Sequence, residues 1–343
     1  MKISNVNLSR LFLLPTFCVS LAQLTGCQSA NQLQPNVRLW HVQQESADAF
    51  SREANALNQS VHRYCIHEGS HPELLLNLRK DWKETMNAWM SLQGVDMGSE
   101  ELLSLSWQIQ FYPDKKNTTG RKISELLKQD TPLTSEYIAA QSVAVQGLGA
   151  MEWMLFDSTS DMLTPRHCEL AVAISQHLSR SARAYREAWE INPFSMADEM
   201  AETRNTLSAL SHQLDRVMKK LSMPLGKPGL PKSYQAEAWR SQQSLAFLKQ
   251  SIISMSRLYQ ADLNVLLREK GHEALAARLS EHWRIALDSV PESDGMRGRL
   301  ETVRGYQSLL TVYNNLEYIQ LAISDEVAPL LGVVVGFNST DGD

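Results

Sequence analysis

The chain has 343 residues, 43% of them hydrophobic and 21% charged, and a formal net charge of -5. That apolar share excludes a disordered chain, and the acidic balance argues against nucleic acid as a partner. The length is ample for a large core and for two domains.

The first ten residues carry Lys2 and Arg10 and no acid, and the apolar run LFLLPTFCVSLAQL leads to Leu24-Thr25-Gly26-Cys27. A basic start, a short apolar core and small residues before a cysteine make a bacterial export signal with a lipobox. Residues 1–26 are therefore expected to be cleaved and Cys27 to be lipidated, an anchor of several acyl chains that gives stable membrane attachment. Gln28 after the cysteine points to an outer-membrane lipoprotein facing the periplasm of a Gram-negative envelope. Cleavage removes two positive charges and takes the net charge from -5 to -7. Residues 27–37 read as a lipidated tether, since QSANQLQPNV is polar and without period. No later run approaches the roughly 20 apolar residues of a membrane-spanning helix.

Beyond the tether, period 3.6 dominates. Leu75, Leu78, Trp82, Met86, Trp89 and Leu92 form one stripe, and Leu170, Ile174, Leu178, Ala182, Tyr185 and Trp189 another. The spacing returns in Leu245, Leu248, Ile252, Met255, Tyr259, Leu263 and Leu266, and in Leu309, Val312, Leu316, Ile319, Ile323 and Leu330. Gly, Pro, Asn and Ser collect at HEGSHP, YPDKKNTTG, DSTSDMLTP, PLGKPGLPKS and DSVPESDGMRG, which read as loops. The class is all-α, two antiparallel helical bundles packed against each other over residues 38–160 and 161–343. LRKDWKETMNAW and LSRSARAYREAW share spacing and a final Ala-Trp, each a little over twenty residues after a cysteine. Duplication and shared packing demands account for this equally well. Under duplication, Cys65 and Cys168 would begin equivalent helices and a disulfide between them would pin one bundle to the other. In an oxidising periplasm that pair is expected to be bonded.

His67-Glu68-Gly69-Ser70-His71 matches the letters of the HExxH zinc motif. That motif needs a helix to place both histidines on one face. Here Gly69 weakens the helix and Pro72 pushes His71 towards extended backbone, so the geometry is missing. A looser metal cluster of His62, Cys65, His67 and His71 competes with the disulfide for Cys65.

Residues 145–157, VQGLGAMEWMLFD, are a strongly apolar helix carrying a single glutamate within its apolar run. Burying Glu152 there is costly unless it meets a partner, a ligand or water. Gly147 and Gly149 thin the helix surface about a turn earlier, where another backbone or a ligand could approach.

This stretch resembles the hallmark of the imelysin family, Gly-x-His-x-x-Glu followed by aromatic and aliphatic residues. Trp82 and Trp89 resemble the paired tryptophans of its early helix, and WQIQFYPDK, residues 107–115, its segment ending in an aromatic-Pro-Asp turn. Glu237-Ala238-Trp239-Arg240-Ser241 is similar to its Glu-x-Trp-Arg-Ser element, and GVVVGFNSTDGD at the carboxyl end to the ending of its imelysin-like branch. The departure is Gly149, where the hallmark has histidine. Without that imidazole Glu152 supplies one hard oxygen, and catalytic zinc is harder to build.

The resemblance implies two helical bundles with a site between them, an envelope location and an association with iron uptake. It marks Glu152, Gly147, Gly149, Tyr112, Asp114, Arg240, Ser241, Asn338 and Asp341 as candidate ligand-binding residues, with Glu152 and Asp114 as candidate metal ligands. Turn capping by Asp114 and Asp341, and a salt bridge from Arg240 to Glu152, are the structural alternatives. The expected function is non-enzymatic binding of iron, an iron complex or a small anionic ligand, with an envelope protein as a candidate partner. A zinc peptidase and a scaffold that docks another envelope protein are the competing classes.

Overall fold

Long apolar stripes at helical spacing become long helices because each must bury one face against another. The structure, a computed structural model, describes residues 35–66, 72–95, 99–192, 199–292 and 295–333. The signal, Cys27, the HEGSH segment, Asn338 and Asp341 lie outside the described residues. In chain order the helices are α1 (Pro35–Ile66), α2 (Pro72–Met90), α3 (Glu100–Ile109), α4 (Thr118–Leu127), α5 (Ser135–Ala139), α6 (Gly147–Phe156), α7 (Pro165–Ala188), α8 (Glu199–Leu225), α9 (Ser244–Ala261), α10 (Leu263–Glu269), α11 (Glu273–Ser289), α12 (Arg297–Leu300), α13 (Val303–Ala322) and α14 (Ala328–Leu330). Among the described residues there is no strand, only an isolated bridge between Lys227 and Leu230. The fold is all-α, as expected. α1 starts at Pro35, inside the stretch expected as tether, since proline is preorganised for the first helical position.

The helices form two clusters packed against each other. In the first, α1 lies along α2 and α7, and α3, α5 and α6 pack on α7. In the second, α8, α9, α11 and α13 pack together with α10 beside α9 and α11. The clusters meet where α2 runs against α9 and α1 against α8. Trp82 lies at this seam, its ring 5.1 Å from Phe156 of α6 and 5.7 Å from Phe247 of α9.

Three local expectations change. Cys65 and Cys168 are bonded, with Cα atoms 5.5 Å apart, but Cys65 ends α1 whereas Cys168 begins α7. They do not start equivalent helices, and because α7 packs along α1 the bond ties two helices of one cluster. The loop at 157–164 likewise joins α6 and α7 within that cluster. Leu330 is 44% exposed although its spacing continues the α13 stripe. A π-helical turn over Ile323–Val327 intervenes, and its extra residue rotates the apolar phase so that Val327 and Ala328 turn inward instead.

Candidate functional site

α6 is apolar almost all round, which suits a helix enclosed by α2, α3, α4 and α7. Its start is fixed by Gln146, whose side-chain amide donates to the carbonyls of Ile138, Ala139 and Gln141. Gly147 follows with φ +67°, and a Cβ there would lie 2.1 Å from the Ile109 carbonyl oxygen. This glycine admits the end of α3, not a ligand. At Gly149 the nearest atom to a built Cβ is the Phe111 carbonyl oxygen at 3.8 Å, and this glycine faces open space.

That space is a cavity of about 50 Å³ at the seam between the clusters, and Gly147 is not among the residues that line it. Trp82 and Met86 of α2, Gly149 and Glu152 of α6, Gln110 to Tyr112 after α3, Asp114, and residues 234–240 surround it. Of the residues marked from the sequence, the structure therefore brings Gly149, Glu152, Tyr112, Asp114 and Arg240 to one place. Ser241 joins them through Glu152.

Glu152 is 6% exposed. Its Oε1 accepts from the Ser241 backbone N–H at 2.9 Å and the Ser241 hydroxyl at 3.0 Å. Burial pushes the carboxyl above its ordinary range, against the opposing pull of Ser241 and Arg240. The donors come from a strained loop, in which Ala238 at φ +51° and Gln242 at φ +59° occupy left-handed backbone that non-glycine residues rarely adopt.

Arg240 does not pair with Glu152. Its Nε donates to Asp157 at 2.8 Å and a terminal nitrogen to Asn117 at 2.6 Å, while its guanidinium lies 4.4 Å from the centre of the Trp239 ring. Asp157 sits where α6 ends, so it meets the arginine first. Burial would raise the Asp157 carboxyl, but Thr159 and Arg240 hold it below its ordinary range. Asp114 caps α4, its two oxygens accepting from the N–H groups of Thr118 at 2.7 Å and Thr119 at 2.9 Å. Tyr112 donates its hydroxyl to the Gln235 carbonyl at 3.2 Å, and burial, then the Glu237 charge, push that phenol up.

Beneath the cavity lies a buried polar cluster that no sequence pattern marks. Lys220 of α8 and Glu237 contact at 2.9 Å with side chains 1% and 2% exposed. Glu237 also accepts from Gln93 at 2.8 Å and Gln110 at 2.9 Å, and Gln110 accepts from the Trp89 indole at 2.8 Å. Lys220 further donates to Ser251 at 3.1 Å. Burial alone would raise Glu237, yet Lys220 and Gln93 carry it below its ordinary range. Burial lowers the pKa of the Lys220 ammonium, against the opposing pull of the Glu237 carboxylate beside it. The one hint in the sequence was Glu237 within the Glu-x-Trp-Arg-Ser element. Lys220 lay on an apolar helix face and gave no local signal.

Among the described residues no group of three His, Cys, Asp or Glu could hold a metal ion, and no helix is long and apolar enough to cross a membrane. The family model for imelysin (peptidase M75) matches residues 43–322. Two solved structures are similar in fold. An imelysin-like protein from Psychrobacter arcticum 273-4 aligns with TM-score 0.71 at 19% identity over 89% of this chain and 97% of its own. A putative iron-regulated protein A precursor from Parabacteroides distasonis ATCC 8503 aligns with TM-score 0.66 at 14% identity over 86% and 96%. No curated protein matches the chain.

Proposed function

The chain belongs to the imelysin family, and from that premise we propose that it is a lipid-anchored, periplasm-facing binding protein in iron uptake that captures its cargo at the Glu152 cavity without catalysis. The observation that carries this is a buried carboxylate, held in place by Ser241 and exposed only to a cavity at the seam of two helical clusters. A carboxylate kept in so costly a place without a salt-bridge partner among the described residues is a recognition group. The iron association is what one structural neighbour's name says of that neighbour. Here it is a proposal, as are the Cys27 anchor and the outer-membrane address.

The donor set favours a cationic or iron-complex cargo over an anion. Arg240, the group that would attract an anion, is already paired with Asp157 and Asn117. One glutamate one helical turn from a glycine supplies too few ligands for catalytic zinc, which takes three from the protein. The test is a titration of the purified protein with ferrous iron, ferric iron and ferric chelates, beside a peptidase assay with and without chelator. Saturable binding that Glu152→Ala abolishes, with no chelator-sensitive cleavage, is the expected result. Chelator-sensitive proteolysis, or iron binding indifferent to Glu152→Ala, would overturn the reading.

A further inference from the structure

The cavity wall has a directional bias in its hydrogen bonding. The Trp82 indole donates to the Leu148 carbonyl at 3.1 Å, the Gln110 amide to Glu237, the Tyr112 hydroxyl to Gln235, and the Ser241 hydroxyl to Glu152 or the Ala238 carbonyl. These buried donors are spent on protein acceptors. The lining also carries the Glu152 carboxyl and the Arg240 side chain. Glu237 is answered by Lys220 and Asp157 by Arg240. Among the described residues no lysine, arginine or histidine forms an ion pair with Glu152. The remaining wall is aromatic, from Trp82, Phe111, Tyr112 and Trp239; ring faces attract cations, and the Trp239 ring already carries Arg240. At about 50 Å³ the cavity has room for only a few water-sized groups, so a whole chelate would not enter it.

An aromatic-walled cavity that is too small for a large ligand and is lined by a carboxyl without an ion-pair partner among the described residues matches one chemical group. We propose that it seats a protonated primary amine, the ammonium arm of a cargo whose bulk stays outside beside Tyr234 and Trp239. An ammonium brings three N–H donors and no acceptor, the complement of the Glu152 carboxylate. It also repays the burial of Glu152 by holding the carboxylate ionised. The proposal rests on the cavity being the binding site and adds the class of group that enters it.

The test uses ethylammonium chloride as the probe, titrated into the full chain at constant ionic strength while the indole N–H resonances of Trp82 and Trp239 are followed by NMR. Tetramethylammonium chloride, a cation without N–H donors, sodium acetate and ferrous iron are titrated in parallel. Two variants accompany the wild type: Glu152→Gln, which keeps an acceptor for Ser241 but removes the charge, and Gly149→Leu, which fills the space and leaves Glu152 intact. Circular dichroism melts establish that each variant is folded. Saturable ethylammonium binding that weakens at least tenfold in both variants, with no response to tetramethylammonium or acetate, is expected. Equal binding of tetramethylammonium, or ethylammonium binding unchanged in either folded variant, overturns the proposal. Ferrous iron binding lost in Glu152→Gln, with no ethylammonium response, overturns the amine while leaving the cavity as the site. If no probe binds the wild-type protein saturably, both readings fail.

Discussion

Replacing Lys220 with methionine removes one charge from the buried pair while nearly conserving side-chain length. Glu237 then keeps the amide donors of Gln93 at 2.8 Å and Gln110 at 2.9 Å and the pull of Arg216 but loses its ion-pair partner. Removing one partner of a buried pair costs about 3–5 kcal/mol, because the survivor is an uncompensated charge in low dielectric. With both side chains almost fully enclosed there is little water to soften that cost. Unfolding entropy is about 2.1 cal/mol/K per residue, so over the unit Gln34–Asp343 each kcal/mol is worth roughly 1.5 °C and Lys220→Met should melt about 5–8 °C lower. Glu237→Gln should cost a similar amount by stranding the ammonium. The double variant Lys220→Met, Glu237→Gln carries neither charge and should recover most of the loss. Thermal melts at neutral pH complete the cycle. A double variant as unstable as the two single losses added together would show that the charges are not coupled. The pH dependence has a definite sign: Glu237 is depressed in the fold, so its contribution is present above the ordinary glutamate pKa and is lost as pH falls through its lower folded value.

Other perturbations bear on separate parts of the fold and site. Asp262 is pushed up to about 6 by burial, opposed by Thr206 and Arg38 and reinforced by Glu202 and Glu269. The folded state thus holds this proton more tightly, and stability should fall as pH rises from about 3.8 to about 6. Asp262→Asn should recover about 2–3 kcal/mol in urea unfolding at neutral pH and little in acid, whereas an equal change at both would refute the shift. Gly149→His restores a histidine and a glutamate at i and i+3 where a Cβ has room, and calorimetry should find divalent zinc affinity raised on the order of tenfold. No gain would mean that position 149 does not face the same space as Glu152. Gly147→Ala drives a Cβ towards the Ile109 carbonyl from a left-handed backbone, and a denaturant midpoint equal to wild type would contradict the packing at the α6 start. Reducing the bond across 103 residues should cost about 4.7 kcal/mol by loop entropy, read as a lower melting temperature of Cys65→Ser, Cys168→Ser.

Helical periodicity was legible residue by residue. Leu170, Ile174, Leu178, Ala182, Tyr185 and Trp189 are all fully buried, because a stripe at that spacing has one stable use. The cysteine pair was legible too, from the count and from the expectation of an oxidising compartment. Gly147 and Gly149 were read as places where a backbone or a ligand approaches, and the fold brings the end of α3 against Gly147 and leaves space beside Gly149. Glu152 stood out because a lone charge on an apolar helix demands an explanation.

Which charge meets which could not be read along the chain. Arg240 lies 83 residues from the Asp157 it pairs with, and Gln93 donates to Glu237 across 144. Such partners are chosen by how α2, α6, α8 and the 234–241 loop converge, and periodicity is silent on convergence. Local patterns record which face of a helix avoids water. Electrostatic neutrality is a property of a volume, and only the packed volume shows that Lys220 and Arg240 are taken while Glu152 is left facing open space.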